Sequence, residues 1–229
     1  MEQNEKSAIR SRFQWGRAAI LYNPRRVTSI SLEWFQPRFW ELRSAVRQQF
    51  KGRTLALAVD TPAGPAVLRQ FHRGGLMAPM LRDRYLFLGH ERSRSFREFD
   101  VLQHLFQAGL PVPEPLAALC ERSGFSYRAA LITREIEGAQ ALADIALSLH
   151  PEDWKTLRKV LDRFFDAGLL HPDLNARNVL RDGAGHWYLI DFDRARVLPG
   201  KAPAAGMIAR LQRSFKRLGL TVPASALEA

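Results

Sequence analysis

Between Leu169 and Val197 the chain reads LLHPDLNARNVLRDGAGHWYLIDFDRARV, and within it His171, Asp173, Asn178 and Asp191 stand in a fixed order. The first three form H-x-D-L-x-x-x-N, and Asp191 ends the apolar run WYLI. Each acid or amide alone is an ordinary turn residue. Together, between a helix and a pair of short strands, they constrain the chain far more. They gather hard oxygen donors into one segment of a protein whose 34 Lys and Arg outnumber its 23 Asp and Glu, for a net charge of +11. That excess calls for an anionic partner, whether nucleic acid, nucleotide or acidic membrane surface, and charge alone does not choose among them.

The flanking pattern supplies the frame. PEDWKTLRKVLDRFFDAG places Trp154, Leu157, Leu161 and Phe164 on one helical face, with Pro151 at the first helical position and Gly168 at the stop. NVLRD and WYLIDFD read as short strands around GAGH. Upstream, GRTLALAV and GPAVLRQF read as strands joined by DTPAG. SFREFDVLQHLFQAG reads as a helix with Phe99, Leu102, Leu105 and Phe106 inward, Ser95 as N-cap and Gly109 as stop. LAALCE and YRAALITRE read as two more strands around RSG. Residues 72–94, with paired glycines, a proline and many basic residues, read as a long irregular excursion of the functional kind. The aromatics Phe13, Trp15, Tyr22, Trp34, Phe35, Phe39 and Trp40 are expected to pack rather than to lie in a disordered tail. The expectation is an α+β fold of two lobes, a small β-rich lobe over 1–137 and a compact, mainly helical lobe over 138–229. The lone Cys120 lies in a strand, reads as a small core residue and fits a reducing compartment. No stretch has the length of a membrane span, and the polar start has no signal-type apolar core, so a cytoplasmic location is expected.

The 171–191 spacing resembles the catalytic loop and metal element of protein-kinase-like phosphotransferases. In such chemistry an acceptor hydroxyl is held in line with the γ-phosphate while Mg²⁺ neutralises the triphosphate. The resemblance implies that Asp173 accepts the hydroxyl proton and that Asn178 and Asp191 ligate Mg²⁺ of Mg²⁺-ATP. His171 braces the loop. Asp193, standing where protein kinases have Gly, is either a further metal or substrate group or the cap of the next turn. Asn175 replaces the usual Lys, and no Ala-Pro-Glu follows, which points to a small-molecule or lipid-linked acceptor rather than a protein.

On the nucleotide side, Arg69 in AVLRQF occupies the position of the kinase strand lysine, and a guanidinium can hold phosphate oxygens bidentately. Glu98 is either its helical partner or half of a Ser95-x-x-Glu98 capping box. The phosphate loop is sparse, with Gly52 and Arg53 in QQFKGRTLA. Glu135-Ile136-Glu137 stands at the hinge that would read adenine.

From about Phe50 to Leu218 the chain is similar to the 3-deoxy-D-manno-octulosonic acid (Kdo) kinase family, most specifically in Arg69, Arg73, Gly74 and Gly75 and in the catalytic segment. The resemblance implies an ATP-dependent, protein-kinase-like enzyme of lipopolysaccharide core biosynthesis. It would phosphorylate the 4-hydroxyl of Kdo on Kdo-lipid IVA, as a peripheral protein on the cytoplasmic side of the cell inner membrane. Arg73, Arg82, Arg84, Arg92 and Arg94 are candidates for the acceptor's carboxylate and phosphates, or form a solvated basic loop. The tail GMIARLQRSFKRLG is a basic amphipathic helix that either meets an anionic membrane surface or packs on the helical lobe. Rival readings are a kinase for another sugar or small molecule, of heptose or aminoglycoside type, a pseudokinase scaffold, and a basic nucleic-acid-binding module. No nucleic-acid partner is expected, because the basic residues match no recognition motif.

Overall fold

In the computed structural model, residues 10–50, 56–71, 85–223 and 227 are described. The chain divides into two compact units, Met1–Gln103 with Glu114–Glu135, and His104–Pro113 with Ile136–Ala229.

The first unit is built on an antiparallel sheet. Its strands are β1 (Ser11–Trp15), β2 (Ala18–Tyr22), β3 (Val46–Phe50), β4 (Ala56–Thr61), β5 (Gly64–Gln70), β6 (Tyr85–Leu86), β7 (Pro115–Ser123) and β8 (Ser126–Arg134). They follow the order β1-β2-β7-β8-β5-β4-β3, with β6 also paired to β8. The β4–β5 hairpin and the β7–β8 pair lie where the apolar runs place them. The sequence reading missed β1, β2, β3 and β6. β1 and β3 are the sheet's edges, and their sequences SRFQW and VRQQF leave most side chains exposed, so the alternation that marks a half-buried strand is weak. The segment 72–94 is correspondingly less irregular at its end, with β6 followed by a short 3-10 turn at His90–Arg92.

One face of the sheet, with Ile20, Val59, Leu68, Leu119 and Ile132, packs against Val27, Trp34, Phe35 and Trp40. Helix α1 (Pro37–Glu41) carries Trp40 into this core, where its indole N–H donates to the Trp34 carbonyl at 2.7 Å. The buried Glu114 accepts from Arg26 Nε at 2.8 Å and from Asn23 Nδ2 at 3.3 Å, tying the segment after β2 to the start of β7. Among the early aromatics, Trp34, Phe35 and Trp40 are core, whereas Phe13 and Trp15 are exposed. Cys120 is buried, and burial pushes its thiol up to about 11, as suits a core residue.

Helix α2 (Arg94–Gln107) buries Phe96, Phe99, Leu102 and Leu105. Its cap is Ser93, not Ser95: the Ser93 carbonyl accepts from Arg97 N–H at 3.1 Å, and its hydroxyl accepts from Phe96 N–H at 3.4 Å. Ser95 is the second residue of the helix and donates to the Leu119 carbonyl at 2.7 Å, which fixes the helix on the sheet.

The second unit contains the short helix α3 (Leu142–Ile145), the long α4 (Pro151–Asp166), and the tail helix α5 (Ala204–Arg217). Its strands are β9 (Gln140–Ala141), β10 (Leu169–Leu170), β11 (Val179–Arg181), β12 (Trp187–Leu189) and β13 (Arg196–Val197). β12, β11 and β9 make one small antiparallel sheet, and β10 pairs with β13. Trp154, Leu157, Leu161 and Phe164 of α4 are all buried, as their spacing requires, and Trp154 stacks edge-on to Phe215 of α5 at 5.8 Å. Gly168 turns the chain from α4 into β10 at φ +80°, and a Cβ there would lie 2.3 Å from the Leu198 carbonyl oxygen.

Candidate active site

The loop between β10 and β11 is held from three sides. His171 is buried, its Nε2 lies 3.2 Å from the Ile190 carbonyl oxygen, and its ring lies 5.2 Å from that of Phe192. A carbonyl only accepts, so Nε2 carries the proton in this bond. Burial holds the imidazole below its ordinary value, outweighing the Ile190 hydrogen bond and the charges of Asp191 and Asp173, which act the other way. A neutral, buried ring bonded to the residue before Asp191 is a brace, as its position in the motif implies.

The second support comes from α5. Ala176 N–H donates to Ser214 Oγ at 2.9 Å, and Ser214 Oγ donates to the Leu211 carbonyl at 2.6 Å. Met207 Sδ accepts from His171 N–H at 3.2 Å. The sequence reading passed over both residues. The one signal for Ser214 was a polar residue inside the apolar stripe of Leu211 and Phe215. The third support is internal: the Asp173 carbonyl accepts from Asn175 Nδ2 at 2.7 Å and from Asn178 Nδ2 at 3.0 Å.

The last bond orients Asn178. Its NH₂ group is committed to a carbonyl, so Oδ1 is the end of the amide that is turned elsewhere. β11 and β12 pair Val179 with Leu189, and Ile190 N–H donates to the Asn178 carbonyl at 3.0 Å, which brings Asn178 beside the end of β12 where Asp191 follows. Asp191 sits at φ 66°, a left-handed conformation that Asp and Asn tolerate better than other non-glycine residues. The Asp173 carboxylate is half-exposed and lies 3.9 Å from Arg194 Nη1. Asp173, Asn178 and Asp191 therefore belong to one small constellation of the second unit, with Leu174, Ala176 and Phe192 buried beneath it. An amide oxygen and a carboxylate are donors of the kind Mg²⁺ takes. Among the described residues there is no cluster of three or more His, Cys, Asp or Glu that could hold a metal, so a cation here would complete its shell with water and phosphate oxygens.

The first unit brings together Arg69 and Glu98. Arg69 Nη2 on β5 pairs with Glu98 Oε2 on α2, and Glu98 is buried. The alternative of a Ser95–Glu98 capping box fails, because Ser93 caps the helix and the Glu98 side chain turns to Arg69. The Arg69 guanidinium also lies over the Phe71 ring, 4.9 Å from its centroid. Glu135 donates its backbone N–H to the Pro65 carbonyl at 3.1 Å, and its side chain pairs with Arg47, which also reaches Asp60 at 3.0 Å. Arg92 is exposed in the 3-10 turn, and Arg94 opens α2 with its backbone N–H on Tyr127 Oη at 3.1 Å. Gly52, Arg53, Arg73, Arg82 and Arg84 lie outside the described residues.

This chain is 42% identical over 205 residues to the 3-deoxy-D-manno-octulosonic acid kinases of Stenotrophomonas maltophilia R551-3 and Xanthomonas oryzae pv. oryzae PXO99A, a match covering 89% of this chain and 82% of each relative. A co-crystal structure of WbdD and the kinase inhibitor LY294002 is similar over 66% of this chain and 33% of that one, with 18% identity and a TM-score of 0.43. Residues 37–225, which include every described residue of both constellations, match the lipopolysaccharide kinase (Kdo/WaaP) family, and the chain belongs to that family.

Proposed function

We propose that this chain transfers the γ-phosphate of ATP to the 4-hydroxyl of Kdo on Kdo-lipid IVA, in lipopolysaccharide core biosynthesis. Membership of a lipopolysaccharide kinase family makes it a phosphotransferase with an alcohol group as acceptor. Its relatives carry the name of a Kdo kinase over most of their length. The observation that carries the reading is the braced loop, in which Asn178 is locked by its amide nitrogen beside Asp191 and Asp173 remains half-exposed.

In this reading the fold is of protein-kinase-like, bilobal type. Asp173 accepts the proton of the acceptor hydroxyl, a role worth ~10²–10⁴-fold in rate. Asn178 Oδ1 and Asp191 hold Mg²⁺. Bound Mg²⁺ neutralises charge on the triphosphate. Arg69, held by Glu98, presents its guanidinium to phosphate oxygens, and the peptide groups at 135–137 serve adenine through positions other than the Glu135 N–H, which Pro65 takes. Arg194, 3.9 Å from Asp173, is placed to meet an anionic acceptor as it reaches the base. Arg73, Arg82, Arg84, Arg92 and Arg94 offer further cations for the Kdo carboxylate and the lipid phosphates. The enzyme acts as a peripheral protein on the cytoplasmic side of the inner membrane. No helix among the described residues is long and apolar enough to cross one.

The test is incubation with γ-labelled ATP, Mg²⁺ and Kdo-lipid IVA, beside lipid IVA lacking Kdo. Label is expected only on the Kdo-bearing acceptor, and NMR of the product should place phosphate on the 4-oxygen. Label on lipid IVA alone, on a heptose in preference to Kdo, or on no acceptor would overturn the assignment.

A further inference from the structure

At one end of the first unit's sheet, the β1–β2 and β7–β8 turns emerge side by side. Ala18 pairs with Glu121, and the Arg17 carbonyl accepts from Arg122 N–H at 2.9 Å, which sets Gly16-Arg17 beside Ser123-Gly124. β6 joins the same end, pairing Leu86 with Ser126, and Phe87 N–H donates to the Phe125 carbonyl at 2.8 Å.

These tips carry apolar side chains that the core does not use. Phe125 is 88% exposed, Trp15 69% and Leu88 60%, whereas the other four tryptophans, Trp34, Trp40, Trp154 and Trp187, are all buried. Neither turn needs a ring: Gly16 at φ +55° and Gly124 at φ +62° supply the backbone freedom, and polar residues usually fill such positions. The surround is basic. Arg17 and Arg128 are exposed, and Arg122 lies 5.0 Å from the Phe87 ring centroid while its Nε donates to the Gly124 carbonyl. Among the described residues, the acids on the strands that end here and on the segment after β6 are Glu121, opposite Arg128 across the ladder, and Glu91, which is paired with Arg12 at 2.7 Å.

We infer that these turn tips dock the enzyme on an anionic bilayer. Trp15, Phe125 and Leu88 enter the boundary between headgroups and acyl chains, and Arg17, Arg122 and Arg128 meet lipid phosphates. The inference rests on the reading that the acceptor is lipid-linked. Three features select a bilayer over a protein partner. Aromatic side chains suit the membrane–water interface. Arginines beside them complement anionic headgroups. The apolar groups stand on three separate segments, the end of β1, the β7–β8 turn and the stretch after β6, and a fluid interface closes around separate projections. The tail helix cannot take this part, because Ile208, Leu211 and Phe215 are buried.

The test uses the full chain with phosphatidylethanolamine–phosphatidylglycerol vesicles, and with phosphatidylcholine vesicles for comparison, without ATP or acceptor. Co-sedimentation is expected with the anionic vesicles, together with a blue shift of tryptophan emission that Trp15→Phe abolishes. Trp15→Ser with Phe125→Ser is expected to weaken binding at least about tenfold, because burial of one aromatic side chain exceeds the free energy of a tenfold change. Both side chains are exposed, so the melting temperature should not move, nor should transfer to detergent-dispersed Kdo-lipid IVA. Undiminished vesicle binding in the double variant, or an emission shift that survives Trp15→Phe, overturns the inference. So does a wild-type dimer that the double variant converts to monomer, since the tips would then be a self-interface. If the chain binds vesicles through these residues yet phosphorylates no Kdo acceptor, the proposed function fails and the docking surface stands.

Discussion

Asp173 lies in the loop after β10 and Asp191 follows the end of β12, and the proposed chemistry separates the two carboxylates. Asp173→Asn is expected to lower turnover by ~10²–10⁴-fold while ATP still binds, because the change removes a proton acceptor and little else. Asp191→Asn should weaken Mg²⁺-ATP binding instead. Asn tolerates the left-handed backbone at φ 66°, so this variant tests the charge and not the conformation. Single-turnover kinetics and ATP titration over a range of Mg²⁺ distinguish the two. Full activity in either variant removes the mechanism. Arg69 calls for a paired test. Arg69→Lys keeps a cation beside the buried Glu98 and should retain part of the activity, whereas Arg69→Ala should lose most of the ATP affinity and some stability as well. Unchanged ATP affinity in a folded Ala variant would leave Arg69 a structural ion pair.

At the scale of elements, two junctions control the loop. Gly168 leaves α4 at φ +80° within reach of two carbonyl oxygens, Leu198 at 2.3 Å and Gly200 at 2.6 Å from a Cβ built there. Gly168→Ala should cost at least ~2 kcal/mol, the left-handed penalty plus a clash with backbone, and so lower the melting temperature by roughly 4–8 °C. An unchanged melting curve would show that the junction relaxes freely. Ser214→Ala removes the acceptor of the Ala176 N–H and should cost ~1–3 kcal/mol. Because Ala176 lies between Asp173 and Asn178, turnover should fall while ATP affinity at saturating Mg²⁺ changes little. A loss of stability with unaltered turnover would reduce Ser214 to packing. These junctions also mark what the sequence made legible. The spacing of His171, Asp173, Asn178 and Asp191 was visible because the proposed chemistry draws on one continuous segment. Long helices and the strands β4, β5, β7 and β8 were visible because a buried face imposes its period, as at Trp154, Leu157, Leu161 and Phe164. By contrast β2, AAILY, lies inside the sheet but is buried at four of its five positions and leaves no alternation to read. The edge strands SRFQW and VRQQF were not, since an edge buries too little to leave a pattern. Nor was the choice of Ser93 over Ser95, because both are good caps and only contact with the Leu119 carbonyl decides between them. Ser214 was hidden for a related reason: its partner is 38 residues away in the chain.

For the whole molecule, the net charge of +11 acts at a longer range than any single contact. Part of that charge is concentrated on α5, which buries Met207, Ile208, Leu211 and Phe215 against its own unit while Arg213, Lys216 and Arg217 stay exposed. The packing alternative therefore holds for the apolar stripe, and the basic face remains available to a membrane. The two contributions differ in their dependence on salt. Each basic residue near an anionic surface contributes about 1 kcal/mol, and this attraction is screened over ~8 Å at physiological ionic strength. Apolar insertion at the turn tips is not screened. Charge reversal at Arg210, Arg213 and Arg217 is thus expected to weaken binding to anionic vesicles at low salt and to flatten its salt dependence, while the Trp15 emission shift of the bound fraction is preserved. Because these side chains lie on the helix surface and Ser214 still supports the loop, turnover on dispersed acceptor should hold. Vesicle binding that survives the three reversals undiminished, or that shows no salt dependence in the wild type, would make α5 a brace for the loop between β10 and β11 and nothing more.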